Sequence, residues 1–150
     1  MQRAVRGWLR VLPARAGLGV TARQQAAASC RSHKSHRDLI AWQASMQLVL
    51  EAYRVARQLP DVERYGLAAQ LRRAAVSIPA NIAEGFGRSS RGDYLRHLSI
   101  ALGSLRELQT HLEIIPLLDY LPAAAVARAE EAARRTVSLV YRLRRSLTPQ

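Results

Sequence analysis

The sequence predicts an all-α protein, an up-down-up-down antiparallel four-helix bundle that follows a disordered or weakly ordered N-terminal tail. Three observations predict this class. From residue 35 onward, apolar residues recur at spacings of three and four, as on one face of a helix, and no alternating strand pattern of useful length occurs. Prolines and glycines divide this pattern into four segments with short connections, as in a bundle. Hydrophobic residues make up 49% of the chain, which is enough for a buried core and too many for a disordered chain.

The first helix is predicted to begin at Ser35, because Ser35 and Asp38 have the S-x-x-D spacing of a capping box. Pro60 ends it near Gln58, since the residue before a proline avoids the helical region. Its core face is predicted from the spacing of the apolar residues Leu39, Trp42, Met46, Val49, Tyr53 and Ala56.

The second helix is predicted to begin near Asp61 and to continue through Pro79. An interior proline loses one backbone hydrogen bond and clashes with the carbonyl group four residues earlier, at a cost of about 3 kcal/mol. The apolar period from Leu67 to Ile82 nevertheless passes the proline unshifted. We therefore expect a kinked but continuous helix that ends in the glycine-containing segment 85–90.

The last two helices are predicted from their caps and prolines. Ser90 and Asp93 repeat the S-x-x-D cap, and the leucines behind them alternate at spacings of three and four, as in a coiled-coil seam. Pro116 is expected to kink or end this third helix, and Pro122 to be the first residue of the fourth. Arginines fill the C-terminal half of the fourth helix, where cations favour the negative end of the helix dipole.

The net charge of +12 is distributed unevenly along the chain. Residues 1–36 contain seven basic residues and no acidic one, whereas residues 37–150 contain 16 basic and 11 acidic residues, a net +5. We expect residues 1–35 to form a disordered basic extension and residues 36–148 to form the bundle. The extension is compatible with an organellar transit peptide, a flexible extension, or upstream sequence foreign to the natural protein. The excess of arginine over lysine favours a bacterial source.

Cysteine content and hydropathy narrow the class of protein further. A single cysteine excludes an intramolecular disulfide scaffold, and no apolar run reaches the length of about 18 residues that a membrane span needs. We expect a soluble cytoplasmic protein without a membrane partner.

A polar stripe runs beside the apolar face of the second helix, at spacings of 3, 4, 4, 3 and 4. Its members are Gln70, Arg73, Ser77, Asn81, Glu84 and Arg88. His97, Ser104 and His111 follow a similar line on the third helix. Two interpretations stay open at this point. The stripe is either a solvated face or buried hydrogen-bond network that fixes the register of the helices, or a binding surface for RNA, DNA or a partner subunit.

Several blocks of the sequence resemble the bacterial four-helix bundle proteins called 23S rRNA intervening-sequence proteins. These blocks are residues 38–43 (DLIAWQ), 70–88 (QLRRAAVSIPANIAEGFGR), 94–104 (YLRHLSIALGS) and 107–112 (ELQTHL). The resemblance is close over about residues 37–121 and extends to the fourth helix only by pattern. Residues 1–34 have no counterpart in the family pattern.

The resemblance implies a bundle of four antiparallel helices that assembles as a homopentamer. A related bundle, the accessory variability determinant of diversity-generating retroelements, is also a basic pentamer and works with a reverse transcriptase and nucleic acid. Neither relation implies catalysis. The family pattern includes the signature positions Arg72, Arg73, Ser77, Asn81, Glu84, Gly85, Arg88 and Tyr94. Whether they bind a ligand or hold the pentamer together is left open.

We therefore expect a non-catalytic, basic, oligomeric protein that binds RNA or DNA without strong sequence specificity. The alternative is a protein-interaction scaffold whose polar stripe makes subunit or partner contacts. No catalytic residue, cofactor or metal is expected, because no nucleophile has a defined His–Asp partner and no pair of Glu-x-x-His motifs occurs. The candidate residues for nucleic-acid or partner binding are Arg72, Arg73, Arg88, Arg134, Arg135, Arg142, Arg144 and Arg145.

Overall fold

The computed structural model describes residues 35–148, in which every regular element is helical. The α-helices are α1 (Ile40–Ala56), α2 (Leu67–Phe86), α3 (Arg91–Leu117) and α4 (Ala123–Ser146), with short 3-10 turns at His36–Asp38 and Asp61–Glu63. Each helix packs against two neighbours, so that α1 and α3 both contact α2 and α4, and within the described range the backbones of the two diagonal pairs lie farther apart. This is the predicted four-helix bundle. Apart from Ser35, the extension predicted for residues 1–35 lies outside the described residues.

The capping box at Ser35 is present, but it starts a 3-10 turn rather than α1. Ser35 Oγ accepts a hydrogen bond from the Arg37 N–H at 3.2 Å, and Asp38 Oδ2 accepts one from the Ser35 N–H at 3.1 Å. Leu39 then adopts an extended backbone, and α1 begins at Ile40. The predicted capping box is therefore confirmed, but the α-helix begins only after the turn, at Ile40 rather than at Ser35.

The core face predicted for α1 is partly wrong. Trp42, Val49 and Tyr53 are only half-buried, and Met46 is 39% exposed. The helix carries two adjacent apolar stripes, and the stripe of mostly small residues faces the core because it lets the neighbouring helices approach closely. Its buried members are Ala41, Ser45, Leu48, Ala52, Val55 and Ala56.

Helix α2 is continuous through the buried Pro79, as predicted. Its start differs from the prediction, because Asp61–Glu63 forms a separate 3-10 turn and the α-helix begins only at Leu67. Gly87 caps its C-terminus and donates its N–H to the carbonyl of Ala83 at 3.2 Å. The predicted break after residue 85 is thus confirmed within one or two residues.

The caps predicted for the second half of the bundle are confirmed. Ser90 Oγ accepts a hydrogen bond from the Asp93 N–H at 3.0 Å and donates one to Asp93 Oδ2 at 2.8 Å. Pro116 lies in the last turn of α3, and Pro122 lies directly before Ala123, so that α4 begins one residue later than predicted. Both prolines therefore mark the short connection between these helices.

A hydrogen bond joins the two loops at one end of the bundle. Tyr120, between α3 and α4, donates its hydroxyl to Glu63 Oε1 at 2.9 Å, and Glu63 Oε2 accepts the Leu67 N–H at the start of α2 at 2.6 Å. These two hydrogen bonds stabilise the carboxylate and lower the pKa of Glu63, the backbone bond having the larger effect. The same contact raises the pKa of Tyr120, because ionisation would remove its proton donor.

The core consists of aliphatic side chains contributed by all four helices. Fully buried members include Leu48, Leu71, Ile78, Ile82, Leu98, Leu105, Leu108, Leu112, Ile115, Val126 and Val140. Apolar stripes that face inward and polar residues that face outward are the pattern of amphipathic bundle helices. None of the helices in residues 35–148 has the length and apolar character needed to cross a membrane.

Candidate functional site

A hydrogen-bond network connects the middle of the polar stripe on α2 with α3. Ser77 Oγ lies 2.8 Å from Ser104 Oγ, and Asn81 Nδ2 donates to the Ser77 carbonyl at 2.9 Å and to Ser77 Oγ at 3.1 Å. Asn81 Oδ1 lies 3.2 Å from His97 Nδ1, and since an amide oxygen can only accept, the imidazole donates this bond. Ser104 and His97 are buried, and the Ser104 hydroxyl and His97 Nδ1 have their partners in this network, whereas the buried His97 Nε2 has no hydrogen-bond partner among the described residues.

Gly85 lets α3 approach α2 closely beside this network. A Cβ atom at position 85 would lie 2.6 Å from Tyr94 Cδ2 and 2.9 Å from His97 Cβ, closer than real Cβ contacts. The rings of Tyr94 and the adjacent Phe86 meet edge-on, with centroids 6.4 Å apart. The signature positions Gly85 and Tyr94 therefore contact each other across the α2–α3 seam.

The ends of the polar stripe lie at the surface. Arg88 pairs with Glu84 at one end, and Arg73 donates a hydrogen bond to Gln70 at the other. Glu84 Oε1 also lies 3.7 Å from Nε2 of the buried His97, beyond hydrogen-bond distance. The stripe thus divides into a central network that fixes two helices in register and two exposed ends, which the sequence pattern could not separate.

Four of the eight arginines predicted to bind nucleic acid or a partner make contacts within the chain. Arg134 illustrates them: its Nη2 lies 2.9 Å from Glu131 Oε2, and its Nη1 lies 3.9 Å from Glu130 Oε2. Such exposed pairs contribute at most about 1 kcal/mol and can be exchanged for contacts with a phosphate group. The four arginines that make such contacts are Arg72, Arg73, Arg88 and Arg134.

The other four predicted arginines lie in the C-terminal half of α4, which also carries the exposed Tyr141. Arg135, Arg142, Arg144 and Arg145 are exposed, and their side chains form no ion pair or hydrogen bond within the described range. Tyr141 is 46% exposed. Arg144 and Arg145 are its neighbours one turn further along α4. Unpaired guanidinium groups beside an exposed aromatic ring are suited to phosphate contacts and base stacking.

The histidines and acidic residues of the described part do not form a metal site. Within residues 35–148 no three His, Cys, Asp or Glu side chains converge as metal ligands. His111, the third polar residue of the line on α3, is half-buried, with its Nε2 3.6 Å from Glu107 Oε1.

Comparison with known proteins supports the architecture. Residues 37–142 match the model of a family described as 23S rRNA-intervening sequence protein, which extends the resemblance over most of α4. The fold is similar to a solved structure from Bacteroides thetaiotaomicron, described as a protein with unknown function from the S23 ribosomal protein family. That structure is 21% identical with a TM-score of 0.64, and the alignment covers 69% of this chain and 97% of the other. No curated protein matches the chain.

Proposed function

This chain belongs to the 23S rRNA-intervening sequence protein family, and we propose that it is a non-catalytic, basic, oligomeric bundle that binds RNA or DNA in the bacterial cytoplasm. The observation that carries this proposal is the group of exposed arginines near Tyr141 on α4 whose side chains form no ion pair or hydrogen bond within residues 35–148. Arginine contacts with phosphates supply affinity that does not depend on base sequence. No recognition-helix or zinc-finger spacing accompanies them in the sequence, so we expect little sequence readout.

The proposed assembly is the homopentamer that the family resemblance implies. The outer side of α1 supports a contact between subunits, because Ile40, Met46 and Leu50 are 61%, 39% and 40% exposed, respectively. Apolar side chains in such a position are removed from water when a second subunit covers them. Five copies would repeat the +5 of residues 37–150 to a total of about +25, which favours binding to a polyanion.

Filter binding to a structured RNA and to duplex DNA at two salt concentrations tests the proposed function. We expect affinity to fall steeply between 50 and 200 mM salt, because bound counterions are released when arginines neutralise phosphates. Binding in the micromolar range or weaker that does not change with salt would contradict the proposal. A binding constant that is similar for unrelated sequences would support non-specific contact.

The alternative is a scaffold that binds only protein, and the apolar outer side of α1 is the observation that favours it. Under both functions, Leu50→Glu should lower the oligomer mass measured by light scattering, because it places a charge in the proposed contact. The functions differ in the nucleic-acid result. An intact oligomer that does not bind RNA or DNA at low salt would favour the scaffold, whose arginines then serve only to keep the protein soluble.

A further inference from the structure

The charge of the bundle is concentrated in one half of its length. The up-down-up-down topology places the start of α1, the end of α2, the start of α3 and the end of α4 at the same end of the molecule. We divide each helix at its middle residue and call this half, residues 37–48, 77–104 and 135–148, the basic half. It contains eight arginines and three carboxylates, a net +5. The other half, residues 49–76 and 105–134, contains eight of each and is the neutral half.

The arginines of the two halves also differ in their partners. In the basic half, six exposed arginines form no side-chain ion pair or hydrogen bond within the part of the chain that the structure describes: Arg91, Arg96, Arg135, Arg142, Arg144 and Arg145. In the neutral half, five of the eight arginines make such a contact within the described residues, and Arg57, Arg64 and Arg128 do not; Arg54, for example, pairs with Glu51 at 2.6 Å and Arg134 with Glu131 at 2.9 Å. The excess charge of the basic half is open to an external anion.

Chain connectivity adds to the same asymmetry. Residues 1–36, with seven basic residues and no acidic one, are joined to the bundle at Arg37, which belongs to the basic half. Bundle helices pack about 8–10 Å apart, so the end of a four-helix bundle measures about 20 Å across with its side chains. A duplex carries one phosphate charge per about 1.7 Å of its axis with both strands counted, so a segment as long as this width carries about twelve phosphates, part of which face the protein.

We propose that nucleic acid binds the basic half of the bundle and leaves the neutral half free, with the exposed face of α4 from Arg135 to Arg145 at the centre of the contact. This inference rests on the proposed nucleic-acid-binding function and specifies which half of the bundle makes the contact. Tyr141, which is 46% exposed on this helix, offers a ring on which an unpaired base can stack. The ligand is recognised as a polyanion with accessible bases, and the neutral half remains available for other contacts.

Two triple variants of the full chain, matched in charge, test which half of the bundle binds nucleic acid. The variant Arg135→Gln, Arg142→Gln, Arg145→Gln removes three exposed arginines from the basic half. The control Arg57→Gln, Arg106→Gln, Arg128→Gln removes three exposed arginines from the neutral half and has the same net charge. Affinity for one single-stranded RNA and one duplex DNA is measured by fluorescence anisotropy at several salt concentrations, and circular dichroism checks that both variants fold.

We expect the basic-half variant to bind at least about eightfold more weakly at 0.1 M salt, since each lost phosphate contact costs about that factor and lowers the salt slope by about 0.9. The control is expected to change affinity by less than about twofold under the same relation. Equal losses in the two variants would show that only net charge matters and would overturn the proposal. Unchanged, salt-dependent binding by both would also overturn it, whereas absence of salt-dependent binding in the unmodified protein would refute the proposed function itself.

Discussion

Replacing Asn81 with alanine tests whether the central network stabilises the bundle. The substitution removes the acceptor of the buried His97 Nδ1–H and the donor to Ser77. A buried donor without a partner costs about 1–3 kcal/mol. The Ser77 hydroxyl keeps its hydrogen bond with Ser104, so the loss at Ser77 adds little. We therefore expect a total loss of about 2 kcal/mol in the free energy of unfolding.

Urea denaturation followed by circular dichroism measures this loss. With a slope of about 2 kcal/mol per molar urea, a loss of about 2 kcal/mol lowers the midpoint by about 1 M. Protein concentration must be held constant, because assembly of subunits would contribute to apparent stability. The matched control is Gln70→Ala, on the same helix and the same stripe, whose side chain bonds only the exposed Arg73 among residues 35–148.

The control should change stability by no more than about 0.5 kcal/mol, as is usual for surface positions. A loss for Asn81→Ala that is as small as that of the control would refute the assignment of the network to stability. In that case the central stripe would have to be reconsidered as a binding surface. A double-mutant cycle with His97→Leu measures the coupling directly and should return at least about 0.5 kcal/mol for groups in contact.

Two further predictions concern glycine positions and pH. Gly85→Ala should destabilise the bundle by about 1–3 kcal/mol, because its Cβ would lie 2.6 Å from Tyr94 Cδ2. Gly103→Ala should instead stabilise α3 by about 0.5–1 kcal/mol, because a Cβ at position 103 would have no other atom within 4 Å. Thermal melts that rank the two variants in the opposite order would contradict the packing of α2 against α3. The lowered pKa of Glu63 contributes stability above its unfolded pKa of about 4.3, which is lost as pH falls through the folded pKa. Glu63→Gln should therefore be less stable than the unmodified protein in urea at pH 7 and approach it near pH 3, while an equal difference at both pH values would show that the charge of Glu63 makes no contribution.

The features that the sequence predicted correctly depend on local chemistry. The cap formed by Ser90 and Asp93 involves only neighbouring residues, and the unshifted apolar period across Pro79 requires a continuous helix. The core face of α1 depends on the neighbouring helices instead. Trp42 and Met46 are more hydrophobic than Ala41 and Ser45, but packing distance selects the smaller residues for the core, which periodicity within one helix does not reveal.

The candidate site was predictable to a similar extent. Spacing placed Ser77 and Asn81 on one line of α2 and His97 and Ser104 on one line of α3. Their pairing required the antiparallel register of the two helices, in which residue numbers rise on one helix as they fall on the other. Counting charges along the chain likewise does not show which arginines have partners within the fold. This part of the difference between the two halves therefore required the structure.

The uneven charge has a consequence for the proposed pentamer. Rotation about a cyclic axis leaves directions along that axis unchanged, so bundles aligned with the axis bring all their basic halves to one face. Repulsion between these arginines opposes assembly and is screened over about 10 Å at 0.1 M salt. We therefore expect salt, or a bound polyanion at low salt, to raise the fraction of the largest oligomer measured by mass photometry. An oligomer that dissociates as salt rises would show that ion pairs, rather than apolar contacts on α1, hold the subunits together.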